Sequence, residues 1–313
     1  MSFGVFKNVS QIGYAGFTDQ LESNLISMLD YGFLSIGGFF TARTGVVAPY
    51  GGSHSNLRLS EDPRYVKGRV WESARSNWVW ERNIEYSIQP LTISGIYVNG
   101  SFVPNGSGYY IDYPRGRVVF NSAIPASSQV KAEYSYKYYN MYSANLGWFR
   151  ELMNNSFRVD DQQFTQYGSG VWSLLSDSRA QLPCIFPYIV PRDKWKPKQL
   201  GGGTYLYQDV LFYVFAETST DRDRALDILR DQYEKKLFFY DKNLVSSMGY
   251  YPLEVNGSIR ASGASNFVDL VNKCLWADAF ITTAAVEDKN DQDAPNLYRG
   301  VCKWTLWFDF PGV

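Results

Sequence analysis

Histidine is nearly absent from this sequence, and cysteine is scarce. Among 313 residues there are one histidine, His54, and three cysteines. A Ser-His-Asp or Cys-His catalytic site would have to use His54, and a histidine-rich metal site is excluded by count. The cysteines lie far apart in the sequence, which indicates neither a metal-ligand pair nor a disulfide framework. We therefore expect no catalytic residue, no cofactor and no metal site.

An excess of charge of one sign and long apolar runs are also missing. The formal net charge is −1, so there is no basic excess with which to hold a nucleic-acid backbone. The longest apolar run, Tyr31–Phe40, is too short and too interrupted by glycine to cross a membrane. The first residues, Met1–Lys7, lack the architecture of a signal peptide. Together with the cysteines, which form no disulfide framework, these absences predict assembly in a reducing cytoplasm, with no membrane partner and no sequence-specific nucleic-acid partner.

Aromatic side chains are abundant instead. They make up 17% of the residues, against 19% for charged residues. Protein interfaces favour Tyr and Trp because these residues combine apolar area with a polar handle, while packing within sheets is the alternative use. The high tyrosine content favours the interface interpretation. The predicted interface residues are Trp307, Trp71, Trp78, Trp80, Tyr50 and His54.

Three of these tryptophans lie in an aromatic and basic cluster, Val70–Arg82. Stacking of single-stranded nucleic acid on aromatic platforms is one interpretation. Stacking of sugars is another, and a packed pair of strands with its charges outside is the third. Glu72 and Glu81 cancel the local positive charge, which favours packed strands over nucleic-acid binding.

The stretch Ile93–Tyr138 carries the pattern of a contiguous antiparallel sheet. Its runs of Val, Ile, Tyr and Phe are bounded by Gly, Pro, Asn or Ser. Asn99-Gly100 favours a tight hairpin because both central residues of a type I′ turn need positive φ, and Pro114–Gly116 marks a second turn. In Val130–Tyr138, apolar or aromatic residues alternate with polar ones, which predicts a half-buried strand with an exposed polar face.

Helical spacing predicts one helix near the start of the chain and another in its last third. The first runs over Asp19–Tyr31, with Thr18 as its N-cap and Gly32 as its stop. The second covers Asp221–Lys235 and begins at Thr220 as its cap. Its predicted buried stripe is Ala225, Leu226, Leu229 and Tyr233.

The C-terminal residues predict a hairpin that packs against the second helix. Its strands are Ala279–Val286 and Val301–Phe310, joined by an acidic, polar loop over Glu287–Asn296. Alternation along the second strand places Trp304 and Trp307 on opposite faces. One face is expected to lie on the helix and the other on a neighbouring subunit.

These patterns predict a β-rich α+β fold, with antiparallel sheets, hairpins and a few packed helices. We expect three units. Residues 1–60 form an N-terminal helix and a long loop, and residues 61–145 form a β-hairpin or β-sandwich module. Residues 146–313 form an α+β domain in which one helix packs on a mostly antiparallel sheet.

Several runs of the sequence, taken together, resemble virion structural proteins of tailed bacteriophages, especially those of marine phages. The runs are GIYVNGSFVP, YYIDYPRGRVVFNSAIPASSQVKAEYSYKYYNMY, FTDQLESNLISMLDYGFLSIGGFF, VWESARSNWVWER, RAQLPCIF and QLGGG followed by DVLFYVFAE. The likeness covers most of the chain. It implies a structural role at the neck or tail of a particle and carries over no catalytic residue. The expected C-terminal arrangement is similar to tail-terminator and connector-completion proteins at the level of the fold.

The sequence therefore predicts a non-enzymatic virion component that joins neck or tail parts as a connector, terminator or tail-completion protein. The expected assembly is a homo-oligomeric ring, in contact with other neck and tail proteins, through which the genome would pass. The Gly- and Ser-rich loop Thr41–Leu59, which contains Tyr50 and His54, and the segment Pro191–Gly203 would order against a partner. The alternatives are a receptor- or glycan-binding β-module of a tail tip or fibre, and a polysaccharide-cleaving enzyme with two close carboxylates.

Overall fold

The computed structural model describes residues 13–44, 55–146, 149, 181–198, 202–294 and 297–311. Within these ranges the fold is α+β, as the sequence predicted. The helices are α1 (Phe17–Ser35), α2 (Ser219–Arg230), α3 (Lys242–Met248) and α4 (Phe267–Lys273). The first ten strands are β1 (Phe39–Ala42), β2 (Asn56–Leu59), β3 (Val70–Glu72), β4 (Gly95–Val98), β5 (Ser101–Pro104), β6 (Tyr109–Asp112), β7 (Arg117–Phe120), β8 (Val130–Ala132), β9 (Tyr134–Lys137) and β10 (Asn140–Met141). The later strands are β11 (Cys184–Pro197), β12 (Gly203–Ala216), β13 (Lys236–Tyr240), β14 (Leu275–Ala294) and β15 (Leu297–Pro311).

The central part of the chain forms a seven-stranded sheet in the order β5-β4-β8-β2-β3-β7-β6. Its neighbouring strands are all antiparallel. The predicted antiparallel pairing within Ile93–Tyr138 is confirmed. Its predicted contiguity is wrong, because β2 and β3 lie between β8 and β7. Strands β2 and β3 precede this stretch in the sequence. They pair with each other, and β2 also pairs with β8 and β3 with β7, so they join the two parts of the sheet.

Both predicted turns in this sheet are confirmed. Asn99 and Gly100 have φ values of 50° and 84°, and they join the paired residues Val98 and Ser101. Pro114–Gly116 lies in the connection between β6 and β7, where Gly116 has a φ of 62°. Positive φ at both Asn99 and Gly100 matches the twist of a two-residue hairpin.

The predicted strand Val130–Tyr138 is divided between two sheets. Val130 and Ala132 of β8 face the core of the seven-stranded sheet, whereas β9 pairs with β1. The predicted exposure of its polar face is wrong at two positions, since Ser135 and Lys137 are both buried. The cause is cover from distant segments. Ser135 Oγ lies 2.8 Å from the hydroxyl of Thr41, and Lys137 forms ion pairs with Asp30 of α1 and with Glu81.

The C-terminal part forms a six-stranded sheet in the order β10-β11-β12-β15-β14-β13. The predicted hairpin is present as β14 and β15, but the predicted loop at its tip is wrong. Asp288 pairs with Val301, and the ladder continues to the pair Ala294 and Leu297. Backbone pairing does not depend on apolar side chains, so the acidic segment extends the strand instead of leaving it.

Helix α1 packs against this six-stranded sheet. Leu21, Leu25, Leu29 and Phe33 belong to its core, so the helix of the predicted 1–60 unit lies on the sheet of the predicted 146–313 unit. The predicted ends of the helix are wrong. The N-cap is Gly16, without a side-chain hydrogen bond, and the helix continues through Gly32 to Ser35. Burial of the last turn holds residues in the helix that the sequence placed outside it.

Helix α2 covers the same sheet and begins earlier than predicted. Its N-cap is Thr218, whose side chain accepts a hydrogen bond from the backbone N–H of Asp221, so the prediction of Thr220 as the cap is wrong. The buried stripe is confirmed at Ala225, Leu226 and Leu229. Tyr233 is 54% exposed because α2 ends at Arg230, before the helical face would reach it.

Candidate interaction surface

One face of the six-stranded sheet is covered by helices. Alternate side chains of β12 and β15 point to this face and are fully buried. They are Leu206, Val210, Phe212, Trp304, Leu306 and Phe308. They share a single core with residues of α1 and α2. Trp304 also donates its indole N–H to the carbonyl oxygen of Leu229 at 2.9 Å, which joins β15 to α2.

The opposite face presents an aromatic patch, which we call the outer patch: Tyr205, Tyr207, Phe280 and Trp307. Trp307 pairs with Tyr207 on one side and with Phe280 on the other. Residues directly opposite each other in a ladder point to the same face, so the three side chains lie in one row across β12, β15 and β14. Tyr205 lies diagonally, with its ring 5.6 Å from that of Trp307. All four side chains are half-buried.

Charged side chains border the outer patch. The ammonium of Lys196 lies 5.6 Å from the ring of Tyr207, and that of Lys198 lies 5.1 Å from the ring of Tyr205. A cation over an aromatic ring is attracted by the quadrupole of the ring. Lys198 also forms an ion pair with Asp309. The patch therefore combines apolar area with a basic margin.

Trp307 carries an unsatisfied polar atom. Its indole nitrogen is buried and has no hydrogen-bond partner among the described residues. Leaving a buried donor unpaired costs on the order of 1–3 kcal/mol. The side chain of Trp307 as a whole is half-buried in the outer patch, so its placement agrees best with a contact surface among the predicted interface residues.

Trp71 and Trp78 are buried in the core of the seven-stranded sheet, so predicting them as interface residues is wrong. Their exposed fractions are 3% and 0%. The indole N–H of Trp71 donates to the carbonyl of Gly68 at 3.2 Å. Trp78 stacks on Tyr134, with ring centroids 4.2 Å apart. Both side chains are buried by contacts within the chain. Their burial agrees with the interpretation of packed strands and disagrees with the interpretations of sugar stacking and nucleic-acid stacking.

Trp80 is half-buried beside a cluster of three charged groups. Its ring lies 5.9 Å from the ammonium of Lys137, which is paired with Asp30 of α1 at 3.0 Å and with Glu81 at 2.7 Å. Glu81 was expected outside and is instead 5% exposed. Burial raises the pKa of Asp30 to about 6, even though the neighbouring Lys137 lowers it. The cluster joins α1 to the central part of the chain.

A cavity of about 230 Å³ lies next to this cluster and is lined in part by Asp30, Glu81 and Tyr240. A larger apolar groove of about 720 Å³ lies between α1, α2, β13 and α4. Its walls include the partly exposed side chains of Ile36, Phe238 and Leu275. The smaller cavity is also lined by Ser27, whose hydroxyl lies 3.3 Å from that of Tyr240.

Two predicted interface residues, Tyr50 and His54, lie outside the described residues. Within the described ranges, no three His, Cys, Asp or Glu side chains come close enough to hold a metal ion. Cys184 and Cys302 are buried, and burial raises the pKa of both thiols, to about 12 for Cys302. Over the same ranges, no helix has the length and apolarity needed to cross a membrane.

Three residues of the outer patch, Tyr205, Tyr207 and Phe280, were missed by reasoning from the sequence. Tyr205 and Tyr207 alternate with Leu206 and Gln208, so period-two alternation could have placed them on one face of a strand. Their position beside Trp307 depends on the strand register, which the sequence does not carry. No protein-family model matches this chain, and a comparison with curated proteins finds no relative.

Proposed function

We propose that this protein is a non-enzymatic structural component of a tailed-phage virion. It joins neck or tail parts as a connector, terminator or tail-completion protein, and it works as a symmetric ring of identical copies. It is assembled in the host cytoplasm and resides in the particle. The observation that carries the proposal is the outer patch, where Trp307 and three other aromatic side chains remain half-exposed on one face of a long-stranded sheet.

The chemistry of the outer patch suits contact with another protein. Interfaces are enriched in Tyr, Trp and Phe at their centres and in polar groups at their rims. Here a row of three aromatic residues is bordered by Lys196 and Lys198. The sequence runs that resemble phage virion proteins fall in both sheets and in α1. The proposed partners are copies of the same chain and other neck or tail proteins.

A glycan-binding module of a tail tip is less well supported. The sugar-stacking hypothesis depended on exposed tryptophans in Val70–Trp80, and Trp71 and Trp78 are buried. The rings of Tyr205 and Trp307 are tilted by 35° to each other, so they do not form one flat platform. Assembly through this face therefore remains the better interpretation.

Mass photometry of the full chain tests the proposal. Wild type should form a closed oligomer of a single size, alone or together with the adjoining neck or tail protein. Trp307→Ala should weaken that assembly by about 30-fold or more, since truncating a large aromatic interface residue commonly costs about 2 kcal/mol. Tyr233→Ala, which removes an exposed aromatic residue from another surface, is the matched control and should assemble like wild type.

Location in the particle is tested separately with purified phage. Gold-labelled antibodies against the chain should mark the neck or tail of intact virions in electron micrographs. Absence of the chain from purified particles would contradict a virion role. Equal assembly of wild type and Trp307→Ala would contradict the role of the outer patch.

A further inference from the structure

The six-stranded sheet has a basic end and an acidic end. In the register of the sheet, Lys196 lies beside Tyr205, which pairs with Asp309 of β15. Asp288 pairs with Val301 of the same strand. Asp309 and Val301 are eight residues apart on β15. At about 3.3 Å per residue, the two ends of the sheet are therefore about 26 Å apart.

The basic end is formed by the last part of β11. The sequence from 191 to 198 contains four basic residues and one acidic residue. Lys196 is exposed, and its ammonium lies against the ring of Tyr207. Lys198 forms an ion pair with Asp309, whose side chain is 45% exposed. One carboxylate therefore offsets only part of the positive charge at this end.

The acidic end is formed by the tip of the hairpin between β14 and β15. The sequence from 287 to 293 contains four acidic residues and one basic residue. Glu287 and Asp288 are exposed. Arg299 lies 3.4 Å from Asp288, and Lys289 is directed to Asp223 of α2 at 3.0 Å. Arg299 therefore offsets Asp288, whereas Lys289 is paired with a carboxylate outside the segment, and the segment keeps an excess of carboxylates.

We infer that copies of this chain associate head to tail, with the basic end of one sheet facing the acidic end of the next. The inference rests on the homo-oligomer proposed above and adds a contact at the ends of the sheet to the one proposed at the outer patch. Two like ends would repel, so a two-fold contact through either end is disfavoured. A contact between two different ends is heterologous, and it generates a ring when the rotation between copies closes. The chain as a whole is nearly neutral, so the pairing depends on where the charges lie.

Charge reversal tests this arrangement in the full chain. The basic-end variant is Lys196→Glu with Lys198→Glu, and the acidic-end variant is Glu287→Lys with Asp288→Lys. Each should weaken self-association by at least tenfold, because each now brings like charges together. An equal mixture of the two should assemble again, in alternating order. A chain that carries all four changes should also assemble. The matched control for the basic-end variant is Lys67→Glu with Lys235→Glu, which makes the same charge change on exposed residues elsewhere.

The readouts are mass photometry at several salt concentrations and circular dichroism to check folding. Wild-type assembly should weaken as salt rises. If a reversed chain does not fold, the neutral variant Lys196→Gln with Lys198→Gln replaces it, with a smaller loss expected. If wild type assembles and the reversals act no differently from the control, the head-to-tail contact is overturned while the proposed ring stands. If wild type stays monomeric at every concentration, the ring and this contact both fail.

Discussion

Trp304 and Trp307 lie three residues apart on β15 and face opposite sides of the six-stranded sheet. Trp304 is fully buried and donates a hydrogen bond to Leu229 of α2. Trp307 lies in the outer patch beside Tyr205. One strand thus supplies a core residue to one face and a candidate contact residue to the other.

This difference predicts unequal effects of two identical substitutions on the stability of the subunit. Trp304→Ala should lower the free energy of unfolding by about 3–5 kcal/mol, because it leaves a large cavity beneath α2. Trp307→Ala should cost the isolated subunit much less and should act mainly on assembly. Urea denaturation, monitored by circular dichroism on the monomeric fraction, measures both. Equal losses of stability would show that the two faces are equally buried.

The raised pKa of Asp30 predicts a specific dependence of stability on pH. Burial raises this pKa to about 6 from an ordinary value of 3.8. The folded chain therefore binds more protons than the unfolded chain between these values, so the contribution of Asp30 to stability increases as the pH falls through that window. Wild type should gain stability relative to Asp30→Asn between pH 7 and pH 4, by about 2 kcal/mol.

Chemical denaturation at a series of pH values measures this difference. Asp227→Asn, at an exposed position on α2, is the matched control. Its free energy of unfolding should change with pH in the same way as that of wild type. A constant difference between wild type and Asp30→Asn across the window would mean that Asp30 titrates at its ordinary pKa.

Two glycines should respond in opposite directions to alanine. Gly100 has a φ of 84° in the hairpin between β4 and β5, and Gly100→Ala should destabilise the chain by about 1–2 kcal/mol. Gly32 lies within α1 and has open space around the position of a Cβ atom. Gly32→Ala should stabilise the chain by about 0.5–1 kcal/mol. Thermal unfolding of both variants measures these changes in stability. Changes of the same sign in the two variants would contradict the prediction.

The two threonines at the start of α2 provide a further paired test. Thr218 caps the helix, and Thr218→Ala should cost about 1 kcal/mol of stability. Thr220 lies in the first turn and is exposed, so Thr220→Ala should change stability by less than about 0.5 kcal/mol. Hydrogen exchange of the amides in the first turn of α2 should increase in the first variant. A larger loss of stability from Thr220→Ala than from Thr218→Ala would indicate that Thr220 is the N-cap, as the sequence predicted.

Local signals in the sequence predicted several elements of this fold. Asn99-Gly100 identified a hairpin because few residues tolerate positive φ. Ala225, Leu226 and Leu229 identified the buried stripe of α2 because helical periodicity is a property of neighbouring residues. The boundaries of both helices were less predictable. Gly32 is exposed, and it remains in α1 because burial of the next two residues, Phe33 and Leu34, outweighs its low helix propensity.

The candidate surface was only partly predictable. Alternation alone determined that Trp304 and Trp307 face opposite ways, and the structure agrees. It could not determine that Tyr207 and Phe280 would lie beside Trp307, because the register of three strands brings them together. It also misplaced Trp71 and Trp78, since an aromatic residue in a strand suits a core as well as an interface.

The sequence by itself determined where β4 turns into β5 and β6 into β7, which side chains of a strand share a face and where charge of each sign is concentrated along the chain. Tertiary structure decided which faces are covered. Lys137 is buried because Asp30 and Glu81 arrive from distant segments, and the acidic segment after Val286 is paired because β15 extends alongside it. The physical reason is that periodicity arises from neighbours along the chain, whereas burial depends on which remote segments pack against them.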